Sequence, residues 1–418
     1  MLKINLPQVE KKMFFLLGLF TSMAVLQVPL GVTTITPFNL MMYVLFAFEI
    51  VYRKIKISGI DSYIYLFYSL CAILSSIYNY FFLPSNWGKA NFISLFNILT
   101  LGYFLVFLEK DAARSLREDF LTGLKANAWI QMFWGILQYI VYRANGASLN
   151  QIIFGNLFHI KEDYIQSNVY RGVNRLTGLN WEPAYFGLTL VIGYALSKKM
   201  WQKGLFALVI IISGSRTSLI TLLAVVLSEC LYSFFSKNKF SKKQINKEGL
   251  VAVAFLAIFI VALVYNWSSL VTGFNSTLSR FKNLNTDPSS KVHMMYYQKL
   301  GDLLFNKYNW VRCMLGIGPA SSGHAYTLYY GLYEYFVDPW NIENGIAYLF
   351  VSYGIVGACL ALAWFFNNLF KTRTQKSSFA LIIGVLVGGI TYSYFVNWIW
   401  VIVFFLSLPK KDLERKKI

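Results

Sequence analysis

Charge is scarce in this sequence. Only 14% of its 418 residues are Asp, Glu, Lys or Arg, while 56% are hydrophobic. That balance, with several apolar runs of spanning length, excludes a soluble globular domain and predicts a polytopic membrane protein. Cysteines are few: Cys71, Cys230, Cys313 and Cys359 stand alone, so no disulfide or metal framework is expected. There is no GKS or GKT sequence, and LGIGPASSGH (Leu315 to His324) lacks the strand-helix context of a nucleotide loop. Asp-rich and DxD-type clusters are missing too, as are internal repeats and low-complexity tracts. Histidines number three, His159, His293 and His324. The formal charge is +19, but it is scattered over loops, so topology accounts for it and nucleic acid is not expected as a partner.

Apolar runs are what the chain has instead. They predict helices near 13–29, 38–52, 61–80, 91–108, 126–142, 183–197, 204–214, 218–235, 249–266, 343–366, 377–393 and 395–408. The expectation is therefore an all-α, single integral domain over 1–418 with about twelve transmembrane helices and both termini cytoplasmic. The run from Met13 follows Lys11 and Lys12 without a small-residue cleavage site, and reads as a retained helix. Gly204 to Phe235 is too long for one span of about 20 residues, and both flanks, KKMWQK and KNKFSKK, are basic. Both ends then belong on the cytoplasmic side, and the run is a hairpin with its tip at SGSRTS, Ser213 to Ser218. Ser377 to Leu408 repeats the pattern. Two long extracytoplasmic loops remain, 143–182 and 267–342. Their Trp, Tyr, Phe and Gly content predicts order. The longest cytoplasmic connection is expected at Glu109 to Lys125.

The chain is organised around RGVNRLTGLNWEPAYFG, Arg171 to Gly187. Pro183 suits the first turn of a helix, so Glu182 stands near a positive helix end at a membrane boundary. Arg171 and Arg175 either touch lipid headgroups or grip a phosphate with their forked donors. Arg216 at the hairpin tip is a costly charge at membrane depth, hence a functional candidate or a snorkelling anchor. The hydroxyls of Ser213, Ser215, Thr217 and Ser218 surround it in sequence, suited to phosphate oxygens. DPSSKVHMMYYQKLGDLLF (Asp287 to Phe305) predicts an amphipathic helix, with Lys291 and His293 at its positive end as a phosphate site or a solvated face. NIENGIAYLFVSYGIVG (Asn341 to Gly357) opens another helix, where Glu343 is either a cap or a functional carboxylate.

RLTGLNWEPAYFG, SGSRTSL, LGIGP and ENGIAYLFVSYGIVG, in this order, resemble the Wzy-type polymerases of O-antigen and capsule repeat units, a group that includes the O-antigen ligases. The resemblance covers Arg171 to Gly357. It implies a GT-C-like membrane fold in the bacterial cytoplasmic membrane. It also implies glycosyl transfer between oligosaccharide units on undecaprenyl pyrophosphate, and a chain-length regulator as a protein partner. No cofactor or metal is called for. Arg175 and Arg216, backed by Arg171 and Lys291, would stabilise the leaving pyrophosphate. Glu343 or Glu182 would serve as base. Trp181, Tyr185, Trp340 and Tyr348 would offer sugar-stacking faces. Two departures stand out: ligases carry a histidine where this chain has Glu343, and many members have an arginine near Lys291. Two readings compete: an O-antigen ligase, which the missing histidine disfavours, and a polysaccharide flippase of similar size and helix number, which would place charges and broken helices near the midplane.

Overall fold

A computed structural model describes residues 6–30, 33–52, 57, 59–108, 110–157, 169–170, 173–236, 288–332 and 340–409. The helix expected at 249–266 and the candidate Arg171 lie outside them. The rest forms two compact units, Met1–Asn127 with Pro288–Ile418, and Ala128–Asp287. Among the described residues, four helices are long and apolar enough to cross a membrane: Ile60–Asn79, Ser85–Phe107, Arg216–Ser233 and Gly345–Lys371. The described chain is that of a helical membrane protein.

The first unit starts with α1 (Leu6–Leu19), α2 (Pro37–Tyr52), α3 (Ile60–Asn79) and α4 (Ser85–Gly102). The first helix expected near 13–29 is corrected: α1 ends at Leu19, and a two-stranded ribbon, β1 (Val28–Leu30) with β2 (Thr33–Ile35), follows. Val28, Pro29 and a run of threonines favour extended chain over helix there. The connection expected at 109–125 is also corrected. It is the first half of α5 (Lys110–Asn145), one continuous helix of 36 residues. Its polar residues hid it, because a helix need be apolar only along the face it buries. Phe120, Leu124 and Ala128 form such a face, and Arg117 is buried beside it. Arg117 donates to the Phe405 carbonyl at 3.0 Å and to the Gln375 side chain at 3.1 Å.

Beyond the second unit come α9 (Pro288–Asp302), α10 (Trp310–Leu315), α11 (Ser322–Tyr330), α12 (Gly345–Lys371), α13 (Lys376–Thr391) and α14 (Asn397–Ser407). The expected loop 267–342 is thus ordered over its described part. Of the apolar positions expected to face lipid or core there, Leu303 and Leu304 are buried, Met295 and Leu300 partly so, and Met294 is exposed. α12 runs antiparallel to α3. At one end Lys371 Nζ lies 2.8 Å from Asp61 Oδ1. At the other, Ser75 and Asn79 of α3 both donate to the Gly316 carbonyl, at 3.0 and 3.1 Å. Between them Tyr65, Tyr68, Trp364, Phe365 and Trp400 pack ring on ring, with centroids 4.8–6.3 Å apart.

α12 is broken inside at Gly354 (φ 63°, ψ −171°). A break strands backbone carbonyls that membrane cannot satisfy. The LGIGP stretch supplies the donors: Ile317 N–H to the Val351 carbonyl at 3.0 Å, and Gly318 N–H to that of Ser352 at 2.8 Å. Gly316 and Gly318 adopt positive φ to make this approach. The glycines serve the fold, not a nucleotide.

The second unit holds the latter half of α5, a small ribbon of β3 (Val169–Tyr170) with β4 (Val173–Asn174), and α6 (Pro183–Leu196), α7 (Met200–Ile212) and α8 (Arg216–Ser236). α6 is apolar all round and buried over most of its length, as a central helix should be. The hairpin expected over 204–235 is present as α7 and α8, reversing at Gly214, whose φ of 69° suits the turn. At the far end Lys203 and Glu229 pair at 2.7 Å, both largely buried, with the Lys203 ammonium 4.6 Å from the Tyr194 ring centre. Burial of opposite charges is costly unless they pair in this way.

Candidate active site

Each unit carries a candidate carboxylate at the start of a helix, Glu182 in one and Glu343 in the other. In the second unit the site begins with how Leu176 to Asn180 is held. This segment is irregular and buried, so its amides need partners. Gln138 of α5 supplies them. Its Oε1 accepts from the Gly178 N–H at 2.9 Å and the Thr177 N–H at 3.3 Å, and its Nε2 donates to the Gly178 carbonyl at 3.1 Å. Asn150 donates to the same carbonyl at 3.0 Å, and Gln131 accepts from Leu179 N–H at 2.7 Å. Trp134 Nε1 donates to Asn150 Oδ1 at 2.8 Å and fixes that amide. These side chains replace a sheet ladder. They set the path of the chain from Arg175 to Glu182.

Glu182 then takes the N-cap position of α6, with Pro183 at the first helical position, yet its side chain makes no capping bond. α8 starts alongside. Ser218 donates toward the Pro183 and Ala184 carbonyls at 3.4 and 3.3 Å and to Ser215 Oγ at 2.7 Å. Gly187 makes room for this: a Cβ there would strike Ser218. Two helix starts therefore lie side by side, one led by Glu182 and the other by Arg216. Both present positive dipole ends and N–H donors in one place. Ser213, Ser215 and Ser218 are buried in this joint and bond to protein oxygens. Their expected role toward phosphate is corrected to a structural one, while Thr217 stays partly exposed. Trp181 is exposed at the rim, and Tyr185 is half-buried in the first turn of α6.

In the first unit the cap question at Glu343 has an answer. Asn344 is the N-cap of α12: its Oδ1 accepts from Ala347 N–H at 3.0 Å, and its Nδ2 donates to the Ile390 carbonyl at 3.3 Å. Asparagine outranks glutamate as a cap, so the signal was in the sequence. Glu343 instead faces His293 of α9, Oε2 to Nε2 at 3.5 Å, and is half exposed. His293 is wedged by the rings of Tyr296 and Tyr392. Lys291, two residues earlier on α9, is exposed. Sequence reasoning placed His293 with Lys291 and missed its pairing with Glu343, since the two lie fifty positions apart. Trp340 and Tyr348 pack against the core of this unit. Trp340 lies on Gly323, and the Tyr348 hydroxyl meets that of Tyr353 at 3.2 Å. Of the four aromatic candidates, Trp181 has the most open ring.

A further polar group surrounds α10 and α11. The His324 ring packs on Phe82 and Trp87. Burial, then the nearby Arg312 guanidinium, holds its pKa below the ordinary imidazole value. Asp302 titrates below the usual carboxylate range because Asn306 and Tyr330 hydrogen-bond to it.

No family model matches the sequence. An Escherichia coli (strain K12) protein bearing the name "Putative colanic acid polymerase" is 25% identical over 231 residues, which is 54% of this chain and 52% of the relative. This chain is similar to a polysaccharide polymerase. It spans about half the length of the relative it matches.

Proposed function

We propose that the protein is a Wzy-type polymerase of GT-C-like fold in the bacterial cytoplasmic membrane. Its substrates are oligosaccharide repeat units on undecaprenyl pyrophosphate, joined at the outer face. An acceptor sugar hydroxyl attacks the anomeric carbon of the growing lipid-linked chain. The new glycosidic bond forms as the bond to pyrophosphate breaks, and the lipid pyrophosphate leaves with the electron pair. The acceptor proton passes to a base.

One observation carries this reading: the starts of α6 and α8, led by Glu182 and Arg216, are joined through Ser218. Leaving-group charge is best met by donors fixed before the reaction, and here the fixing is done by Ser218 and the Gln138 clamp. Arg175 and Arg216 are assigned to the pyrophosphate, with Arg171 and Lys291 in support. The base is Glu343, oriented by His293, or Glu182. Trp181 is assigned to a sugar face, with Tyr185, Trp340 and Tyr348 behind it. The similarity to a colanic acid polymerase by name agrees in reaction class. A chain-length regulator and the bilayer are the partners this reading implies.

The transporter reading draws on the break of α12 at Gly354, since discontinuous spans often line transport sites. Here Ile317 and Gly318 fill the freed carbonyls, so the chain itself occupies the break. Gene deletion separates the two. The polymerase reading expects cells with single repeat units at the outer face and no long polymer, seen as a collapsed ladder on a gel. Lipid-linked units trapped inside would make the transporter reading the right one.

A further inference from the structure

Arg312 is a cation that the reading above leaves unused. It lies in α10, whose N-cap Asn309 accepts from Arg312 N–H at 3.0 Å. The guanidinium lies over the Phe82 ring, 3.7 Å from its centre, and 5.9 Å from that of Tyr78. Nε donates to Asn79 Oδ1 at 2.9 Å, and Nη1 reaches the Tyr329 hydroxyl at 3.5 Å. Every one of these partners is neutral. Among the described residues no carboxylate pairs with Arg312, and the side chain is only partly buried. Nη2 keeps donors that no described group accepts.

The position matters as much as the charge. Asn79 is the last residue of a span-length helix, so Arg312 sits at a membrane boundary. The residues beside it are exposed aromatics: Tyr80 at 67%, Phe81 at 96% and Trp310 at 75%. Aromatic rings at a span's end mark the headgroup level, where phosphates reside. A guanidinium pinned on a ring by one edge, with the other edge open, is preorganised for a phosphate oxygen. Apolar rings around it favour a phosphate that arrives on a hydrocarbon chain.

We propose that Arg312, with Phe82, Asn79 and the rim of Tyr80, Phe81 and Trp310, forms a binding site for a lipid-borne phosphate, distinct in residues from those assigned above. Purified full-length protein in detergent, titrated with phosphatidylglycerol, undecaprenyl phosphate or inorganic phosphate and read by native mass spectrometry, tests this. The expected result is bound phospholipid or prenyl phosphate in the wild type. Arg312→Ala should weaken that binding about tenfold or more, the size of one charge-assisted contact. Phe82→Leu keeps the charge but frees the guanidinium, and should weaken it several-fold. Tighter retention of one lipid identifies the source of the phosphate. Binding by Arg312→Ala equal to wild type, at an unchanged melting temperature, overturns the site. If Arg312→Ala does not fold, Arg312→Lys and Phe82→Leu decide, and unaltered lipid binding in both overturns it. Equal affinity for inorganic phosphate overturns the lipid requirement.

Discussion

Single residues divide here into those that build and those placed to react. Arg216 and Glu343 belong to the second group under the proposed function. Arg216→Ala is expected to abolish polymer while the protein stays in the membrane. Arg216→Lys should also largely fail, because an ammonium is a point charge and cannot fork across two phosphate oxygens. One fixed donor to a developing anion is typically worth about 3–4 kcal/mol, or roughly a hundredfold to a thousandfold in rate. Glu343→Gln is now a sharper probe, because Asn344 and not Glu343 caps α12. An inactive Glu343→Gln at normal membrane levels assigns the base to Glu343. Normal polymer from that variant moves the role to Glu182. His324 gives a prediction on stability. Its folded pKa lies below the ordinary 6.5, so the unfolded chain binds the proton more readily. The stability it contributes is present above pH 6.5 and is lost as pH falls from there through the lower folded value. Melting temperature in detergent should drop between pH 7.5 and 5.5, and His324→Phe should flatten part of that slope. An unchanged slope in the variant would remove His324 as its cause.

Among the elements, α12 depends on one position. Gly354 holds a left-handed φ of 63°, and a Cβ there would run into the backbone of Met314 and Leu315. This positive-φ, extended-ψ conformation is nearly exclusive to glycine and costs an L-residue about 1–3 kcal/mol by itself. The clash falls on backbone, which cannot rotate away, so the LGIGP segment would have to withdraw, leaving the Ser352 carbonyl unpaired and that of Val351 with only the Tyr308 hydroxyl at 3.4 Å. Each buried unpaired group costs about 1–3 kcal/mol more. Gly354→Ala should therefore lower the melting temperature strongly and reduce membrane levels. Gly88→Ala, with open space around its Cβ, is the matched control. Equal stability of the two variants would mean that the break is not held by its glycine. α6 and α7 raise a second point at this scale. Their 14 and 13 residues reach only about 20 Å of a hydrocarbon layer of about 30 Å. The start of α6 at Glu182 and the end of α7 that leads into Arg216 then lie below the plane of a flat bilayer surface, unless the bilayer thins around them.

Across the whole molecule, the proposal sets sidedness. Arg175, Thr217 and Glu343 are expected to face outward, and Lys239 inward. Thr217→Cys is a better reporter than Ser215→Cys, since Ser215 is buried in the joint with α6. Membrane-impermeant thiol labelling of intact cells should reach Thr217→Cys and Glu343→Cys in a background free of the native cysteines. Labelling of Thr217→Cys only after the cells are opened would overturn the hairpin orientation.

Composition and periodicity alone determined that this is a helical membrane protein, and they located the hairpin tip and the starts of α6 and α12 to within a few residues. Those features are local: apolar runs, basic flanks, Pro183 after Glu182. What only the tertiary structure decided rests on contacts between distant positions. The serines of SGSRTS read equally well as phosphate ligands or as mortar, and Ser218's bonds to Pro183 and Ala184, thirty-five and thirty-four positions away, make them mortar. LGIGP reads as a ligand loop until the break at Gly354 supplies the carbonyls its amides meet. The continuity of α5 through 110–125 was hidden because its apolar face is narrow and its arginine is buried. Glu343 could be a cap or a base until Asn344 took the cap and His293, on another helix, took the carboxylate. A sequence shows which groups are available; which of them are already spent on the backbone is settled only when the helices pack.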